Sequence, residues 1–375
     1  MRKFFSAFLL IVFSCTAATA QYTVTLRAFL PGAYTNETFF VAGNFNGWNP
    51  AADNYKLRME GKNMATVSFR IPATAIIEFK FTKGSWEKVE TTSTGADIEN
   101  HRVKVESDTT VELTISGWRD WFPPTPKKST ATENVRIIDT AFAIPQLNTK
   151  RAVRIYLPPG YAGNKQTYPV LYMHDGQNLF DEALSPFGEW GIDEYLDSAK
   201  RKCIVVAIDN GGKTRVTEYN PYPNERFGAG KGKEYTAFIV RTLKPFIDKK
   251  FRTRKNAANT FIAGSSMGAH ISFYAALKYP EVFGRAGIIS PAFWINYKEV
   301  ENEIMRSKKR RGQRLFIYAG QMESENLLQE VIGIFNLYNN RLVGNPVKLS
   351  IKAMGKHNEQ SWRMMMPEFF EWLLK

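Results

Sequence analysis

Among the residues able to do covalent chemistry, one pentapeptide stands out: Gly264-Ser265-Ser266-Met267-Gly268. It follows the apolar run Thr260-Phe261-Ile262-Ala263 and leads into Ala269-His270-Ile271, where a helical pattern begins. A serine spaced between glycines at a strand-to-helix junction is lifted out of a sharp turn into the open. A Cβ at either glycine would collide with neighbouring backbone, so the spacing has a steric reason. The N–H groups at the start of the following helix favour negative charge developing beside Ser266. The chemistry implied is nucleophilic attack by Ser266 on a carbonyl carbon. For the bare pentapeptide a plain helix-starting turn is the simpler reading; the flanking strand, the flanking helix and the partners below argue against it.

A serine hydroxyl needs a base, and the chain has only 4 histidines. His101 falls in a β-rich N-terminal region, and His270, on the helix just after the turn, faces away from Ser266. That leaves His174 and His357. His357 stands in Gly355-Lys356-His357-Asn358-Glu359, after the last expected strand and before the final helix. Nucleophile, acid, then base is a known chain order for such turns, and His357 fits its last place. The acid should follow the penultimate strand, Leu315 to Gly320, in Gln321-Met322-Glu323-Ser324-Glu325. Either glutamate could orient the imidazole. Ser324 reads as a helix N-cap, which puts Glu325 in the first helical turn, so Glu323 is preferred. An oxyanion needs two N–H donors. Met267, next after the nucleophile, should supply one. The loop His174-Asp175-Gly176-Gln177-Asn178 should supply the other, from Gln177 with Gly176 as the alternative; His174 and Asp175 are expected to shape that loop.

The elements that must position these residues divide the chain. Residues 21–118 read as all-β: short runs rich in Val, Ile, Thr and Phe (23–29, 37–42, 64–71, 76–82 and 103–115) are separated by Gly, Asn and Asp clusters, as in a sandwich. Residues 119–134, with Pro123, Pro124 and Pro126 and then a polar Lys/Ser/Thr tract, read as a linker. Residues 135–375 alternate β and α: strands are expected at 153–157, 170–174, 204–208, 260–264, 286–289, 315–319 and 349–353, with helices at 233–251, 267–279, 325–338 and 362–374. That grammar predicts one doubly wound, mostly parallel sheet.

Residues 1–20 carry Arg2 and Lys3, the apolar run Phe4 to Phe13 and the small residues Ala18-Thr19-Ala20, the pattern of an export signal. Lipoprotein processing at Cys15 is a second reading, with a poor motif because of Phe13. No other apolar stretch is long enough to span a bilayer. The chain has 2 cysteines. Cys15 lies in the export segment, so Cys203 alone can form neither an intrachain disulfide nor a thiolate metal site; no metal or cofactor is expected. The formal charge of +14 would suit anionic substrates or surfaces. Its only dense basic run is Lys308-Lys309-Arg310-Arg311, a solvated face, and nucleic-acid binding is not expected.

The C-terminal part resembles the α/β-hydrolase esterases that include feruloyl and acetylxylan esterases (carbohydrate esterase family 1), enterochelin esterases and mycolyltransferases. The resemblance covers residues 135–375 and rests on Arg154-Ile155-Tyr156-Leu157-Pro158-Pro159-Gly160-Tyr161, on His174 to Phe180, on the Ser266 turn and on Gly355 to Glu359 with Trp362. It implies an acyl-serine mechanism through Ser266, Glu323 and His357, although the acid of this family is often Asp. The N-terminal part resembles carbohydrate-binding modules of the starch- and glycogen-binding kind (family 48, related to family 20). That likeness rests on Val41 to Pro50, Glu78 to Phe81, Gly84-Ser85-Trp86 and Asp97 to Arg102. It implies Trp48 and Trp86 as sugar-stacking faces with Lys80 and Asn100 as hydrogen-bonding partners; inward packing of the same tryptophans is the competing reading.

The expectation is therefore an exported serine esterase that removes feruloyl, acetyl or similar groups from a polysaccharide or oligosaccharide. Trp190, Arg215, Tyr219 and Tyr222 are expected to line its pocket. A siderophore esterase, an acyltransferase to sugar and a non-catalytic glycan-binding protein are the alternatives.

Overall fold

The computed structural model describes residues 21–32, 34, 36–72, 75–122, 126–307 and 312–375. The expected export segment 1–20 with Cys15, and the basic run 308–311, lie outside these residues. The chain divides into two compact units, with the division between Thr125 and Pro126.

In the N-terminal unit, alternation of apolar and polar residues along Gln21–Phe29 turns Val24, Leu26 and Ala28 inward. This strand pairs antiparallel with Met64–Pro72 and parallel with Thr109–Thr114. Phe40–Gly43, Ala75–Thr82 and His101–Val105 form a second, antiparallel sheet. Inward residues of both sheets, among them Val24, Leu26, Val41, Phe79 and Phe81, share one apolar cluster with Trp118. The single run expected over 103–115 is two strands, broken at Glu106-Ser107-Asp108, where Asp108 accepts the Thr23 N–H at 2.7 Å.

The strands of the C-terminal unit are numbered from its own start: β1 (Val135–Ile144), β2 (Thr149–Tyr156), β3 (Val170–His174), β4 (Ile204–Ile208), β5 (Thr260–Ser265), β6 (Arg285–Ile289), β7 (Arg314–Gly320) and β8 (Val347–Lys352). They form one 8-stranded sheet in the order β1-β2-β4-β3-β5-β6-β7-β8. β1 and β2 are antiparallel additions; β3 to β8 run parallel. The apolar run of β3 follows from burial on both faces: Val170 and Tyr172 enter one cluster, Leu171 and Met173 the other. β1 was not expected, because exposed Arg136, Ile137 and Asp139 break its apolar pattern and two register shifts kink it at the sheet edge.

The helices are α1 (Ile192–Ser198), α2 (Arg215–Glu218), α3 (Gly232–Phe238), α4 (Lys244–Lys250), α5 (Met267–Lys278), α6 (Tyr297–Arg306), α7 (Glu325–Arg341), α8 (Glu359–Met364) and α9 (Met366–Leu374). The single helix expected over 233–251 is α3 and α4 joined by a π-helical turn, and the final helix is split at Met365. Among the described residues no helix is long and apolar enough to cross a membrane.

The expected linker is corrected at its second half. Lys127 reaches Glu182 at 2.6 Å, Ser129 donates to Asp181 at 2.9 Å, and the Thr132 N–H donates to Asp193 at 2.8 Å. Residues 127–132 have little apolar surface to bury, but short polar groups and backbone amides find carboxylates on the C-terminal unit.

Candidate active site

Ser266, Glu323 and His357 follow the carboxyl ends of β5, β7 and β8, parallel strands of one sheet with β6 between the first two. Ser266 directly follows β5, with φ 55° and ψ −118°, a conformation that costs a non-glycine residue about 1–3 kcal/mol. Its N–H donates to Ile289 O at 2.9 Å, and its carbonyl accepts from Ala292 N–H at 3.1 Å. The segment after β6 therefore grips the strained peptide from both sides. Gly264 has to be glycine: a Cβ there would lie 2.8 Å from the carbonyl carbon of Gly268. A Cβ on Gly268 would come within 3.2 Å of His174 Cβ, so α5 is drawn close against the turn after β3. Met267 opens α5, and its N–H is among those a helix start leaves without an intrahelical acceptor.

Glu323, just past β7, has a fully buried side chain, whereas the imidazole of His357, in the loop after β8, is 41% exposed. Oε2 of Glu323 lies 2.6 Å from His357 Nδ1. Because an ionised carboxylate only accepts, Nδ1 carries the proton of the neutral ring and Nε2 is left to take one. Oε1 accepts the Gly320 N–H and the Ser290 hydroxyl, each at 2.7 Å. Ser324 caps α7, its Oγ accepting from Leu327 N–H at 3.3 Å, and Glu325 is the first residue of that helix. The geometry thus pairs His357 with Glu323.

The turn after β3 is built on charge. Asp175 adopts φ 56°, and Gly176–Asn178 follow as one 3-10 turn. Asp175 takes Arg215 Nε at 2.6 Å on one oxygen and Nη2 at 2.8 Å on the other, with Asn210 Nδ2 at 2.7 Å. Burial alone would raise the Asp175 pKa; the Arg215 charge and these hydrogen bonds outweigh it and hold it below the usual carboxylate range. His174 is buried, meets Tyr235 OH at 2.9 Å through Nδ1, and is pushed down to about 4 by desolvation, so it stays neutral. His270 is likewise buried and pushed to about 4. Asn178 Nδ2 donates to Glu359 Oε1 at 3.1 Å, tying this turn to the segment that bears His357. Desolvation raises Glu359 to about 7. A cavity of about 200 Å³ adjoins the turn, with Arg136, Ile137, Arg154, Gly176, Gln177 and Phe180 in its lining.

Trp190, Tyr219 and Tyr222, expected as pocket walls, are corrected to interior positions. Trp190 is 2% exposed and packs on Trp362 with ring centroids 5.5 Å apart. Tyr219 is fully buried between His174 and Tyr235, its hydroxyl accepting the Asp175 N–H at 3.3 Å. Tyr222 packs edge-on against His270 and Tyr274. Arg215 is partly exposed but committed to Asp175. Placing these residues by loop position alone overlooked the apolar surface that large aromatics bury. Residues not singled out from sequence are Ser290, Asn178 and Trp294. Trp294 is 45% exposed, edge-to-face with Phe227 at 6.2 Å, on a segment held to its neighbour by Asn224 Nδ2 donating to Ile295 O at 2.7 Å. The available signal was position: Ser290 to Trp294 follow an expected strand between those of nucleophile and acid.

In the N-terminal unit Trp48 (φ 58°) and Trp86 come together, half-buried, with centroids 6.3 Å apart and planes at 39°. Lys80 is half-buried, and desolvation lowers its pKa; Asn100 is exposed. Among the described residues no ring contact or hydrogen bond joins either of them to the tryptophans.

Residues 144–370 match a protein family described as "Putative esterase". An uncharacterized protein of Bacillus subtilis (strain 168), YbbA, is 31% identical over 183 residues, 46% of this chain and 69% of its own length. An α-amylase of Niallia circulans is 36% identical over 100 residues, 26% of this chain and 8% of its own. An endo-1,4-beta-xylanase/feruloyl esterase of Xylanibacter ruminicola is 30% identical over 146 residues, 37% of this chain, which spans only 19% of that protein. Among solved structures, enterochelin esterase from Shigella flexneri has a TM-score of 0.51 at 15% identity, covering 93% of this chain and 94% of its own. The BES protein from Bacillus cereus has a TM-score of 0.51 at 19% identity, covering 67% and 98%. At these identities the two structures show a shared fold.

Proposed function

The chain belongs to this esterase family of carboxylic-ester hydrolases, and on that premise we propose that it removes acyl groups from a polysaccharide or oligosaccharide through an acyl-serine at Ser266. The observation that carries the reading is the Glu323–His357 pair at 2.6 Å, at the same sheet edge as the strained Ser266 turn. Ser266 Oγ attacks the ester carbonyl while its proton passes to His357 Nε2. The amides of Met267 and Gln177 receive the oxyanion. Collapse breaks the C–O bond, and the departing alkoxide takes the proton from Nε2. Water, deprotonated in turn by His357, attacks the acyl carbon and releases the acid. Glu323 fixes the imidazole and stabilises its cation.

The glycan part of the reading draws on the names of two relatives, a xylanase/feruloyl esterase and an α-amylase, each matched over a small share of its length. The facing Trp48 and Trp86 rings fit stacking on a pyranose in a sandwich-type binding module, and exposed Trp294 offers an apolar face to an acyl or sugar ring. Export through residues 1–20 belongs to the same proposal. Initial rates of wild type and Ser266→Ala on p-nitrophenyl acetate, methyl ferulate and acetylated xylan test it. Turnover by wild type alone is expected, and equal rates for both would overturn the nucleophile. A second reading, a siderophore trilactone esterase, is favoured by the fold likeness to enterochelin esterase over 93% of the chain. Faster cleavage of enterochelin than of every glycan ester would select it.

A further inference from the structure

Four side chains, the candidate base His357 among them, form a closed ring. Trp362 Nε1 donates to Ser290 Oγ at 3.0 Å, and Ser290 Oγ donates to Glu323 Oε1 at 2.7 Å. Glu323 Oε2 faces His357 Nδ1 at 2.6 Å. The Trp362 ring then meets the His357 ring edge-to-face, centroids 5.2 Å apart at 81°. The proton direction in this ring is forced. An indole N–H only donates, so the Ser290 oxygen must accept from Trp362, and its single proton is left for the carboxylate. Oε1, occupied by Ser290 and Gly320, commits the other oxygen to the imidazole.

Ser290 also touches the nucleophile's support. It is fully buried, with φ 45°. The backbone on either side of it, Ile289 O and Ala292 N–H, holds the Ser266 peptide at 2.9 and 3.1 Å. Its own N–H is bound to Tyr318 O of β7 at 2.9 Å. We propose that Ser290 is a positioning residue that sets the nucleophile turn in register with the acid–base pair, its hydroxyl aiming Glu323 at His357 and its backbone bracing Ser266. The inference rests on the esterase reading and deepens it: a residue in the middle of the sheet edge, contacting no substrate, determines how well the base is aligned.

The test uses the full chain with p-nitrophenyl acetate. Ser290→Ala is expected to lower kcat/KM by about tenfold to a hundredfold, the scale of small misplacements of catalytic groups. KM should stay nearly unchanged, because the hydroxyl does not face the substrate. The acid limb of the kcat/KM–pH profile should move to higher pH, since a carboxylate with one donor fewer holds the imidazolium more strongly. Trp362→Phe keeps the ring on His357 and frees the Ser290 hydroxyl, so it should shift both readouts in the same direction, by less. In a Glu323→Ala background, Ser290→Ala should cause no further loss, because the side chain it acts through is gone. A Ser290→Ala enzyme within twofold of wild type, or a loss of equal size in the Glu323→Ala background, would overturn the proposal. If Ser290→Ala does not fold, the same cycle run with Trp362→Phe decides. A wild type inert on every ester tried would instead sink the esterase reading, a result visible before any variant is made.

Discussion

Asp175 and Arg215 carry an uneven burden for two residues expected only to shape a loop and line a pocket. The Asp175 side chain is 8% exposed and that of Arg215 25%, and two hydrogen bonds join them in a fork. Removing one partner from a buried pair leaves an uncompensated charge, costing about 3–5 kcal/mol. Arg215→Ala is expected to lose stability on that scale, read by urea unfolding, and to lower kcat as the Gly176–Asn178 turn loosens. Arg215→Lys should recover only part of both, because an ammonium cannot serve two carboxylate oxygens in a plane. A full recovery by lysine would show that charge alone, not the fork, shapes the turn. At this scale the pairing of Glu323 with His357 was legible, since each follows a strand whose apolar run could be read. Choosing Glu323 over Glu325 depended on reading Ser324 as a cap. Ser290 and the Asn178–Glu359 hydrogen bond were not legible, because their partners lie 33 and 181 residues away along the chain. Nothing local marks a serine whose task is to orient a distant carboxylate.

Elements explain why the Ser266 turn tolerates so little change. β5 must run into α5 within one residue, and the two glycines flanking Ser266 relieve different contacts. At Gly264 a Cβ would meet backbone of Gly268 at 2.8 Å, and backbone cannot move without opening the turn. At Gly268 the nearest atom is a side-chain carbon of His174 at 3.2 Å, which a shift of a few tenths of an ångström relieves. Gly264→Ala should therefore abolish labelling of Ser266 by an organophosphonate ester, whereas Gly268→Ala should slow it by about tenfold, as a small displacement of the oxyanion donors would. Equal effects would mean that the spacing matters for helix packing rather than for closing the turn. Element reading succeeded where burial was symmetric: β3, β4 and β5 are buried throughout, with apolar residues along their centres, because helices cover both faces. It failed at the edge, where β1 presents polar residues to solvent. It also failed between β6 and β7, where α6 was not foreseen although Val300 and Ile304 are its buried stripe.

Across the whole molecule, buried titratable groups pull stability in two directions, and their balance can be signed. Desolvation raises Glu359 and Glu330 to about 7. It also raises Glu189 and Asp193, where the nearby carboxylate Glu194 adds to it. For each, the folded state keeps a proton that the unfolded chain releases from about pH 4.5 upward for the glutamates and about pH 4 for Asp193, so the stability contribution is complete below that pH and is lost as pH rises through 7. His174 and His270, pushed down to about 4, act oppositely. The unfolded chain binds protons on them from about pH 6.5 downward, so their contribution is present above that pH and is lost as pH falls toward 4. Near pH 6.5 the two histidines are still half protonated in the unfolded chain, so their rising contribution opposes that of the carboxyl groups, but four raised carboxyl groups outweigh two depressed histidines. Stability should therefore decline between pH 6 and pH 8, Glu359 alone losing on the order of 1 kcal/mol there out of the roughly 3 kcal/mol that its whole shift represents. Glu359→Gln keeps an oxygen to accept from Asn178 but cannot ionise, so its melting temperature should fall less steeply over the same range. Thermal melts at closely spaced pH values check this: parallel curves for the two proteins would mean that Glu359 is ionised and solvated in the folded chain, and that the turn bearing Asn178 is held to the His357 segment by other contacts.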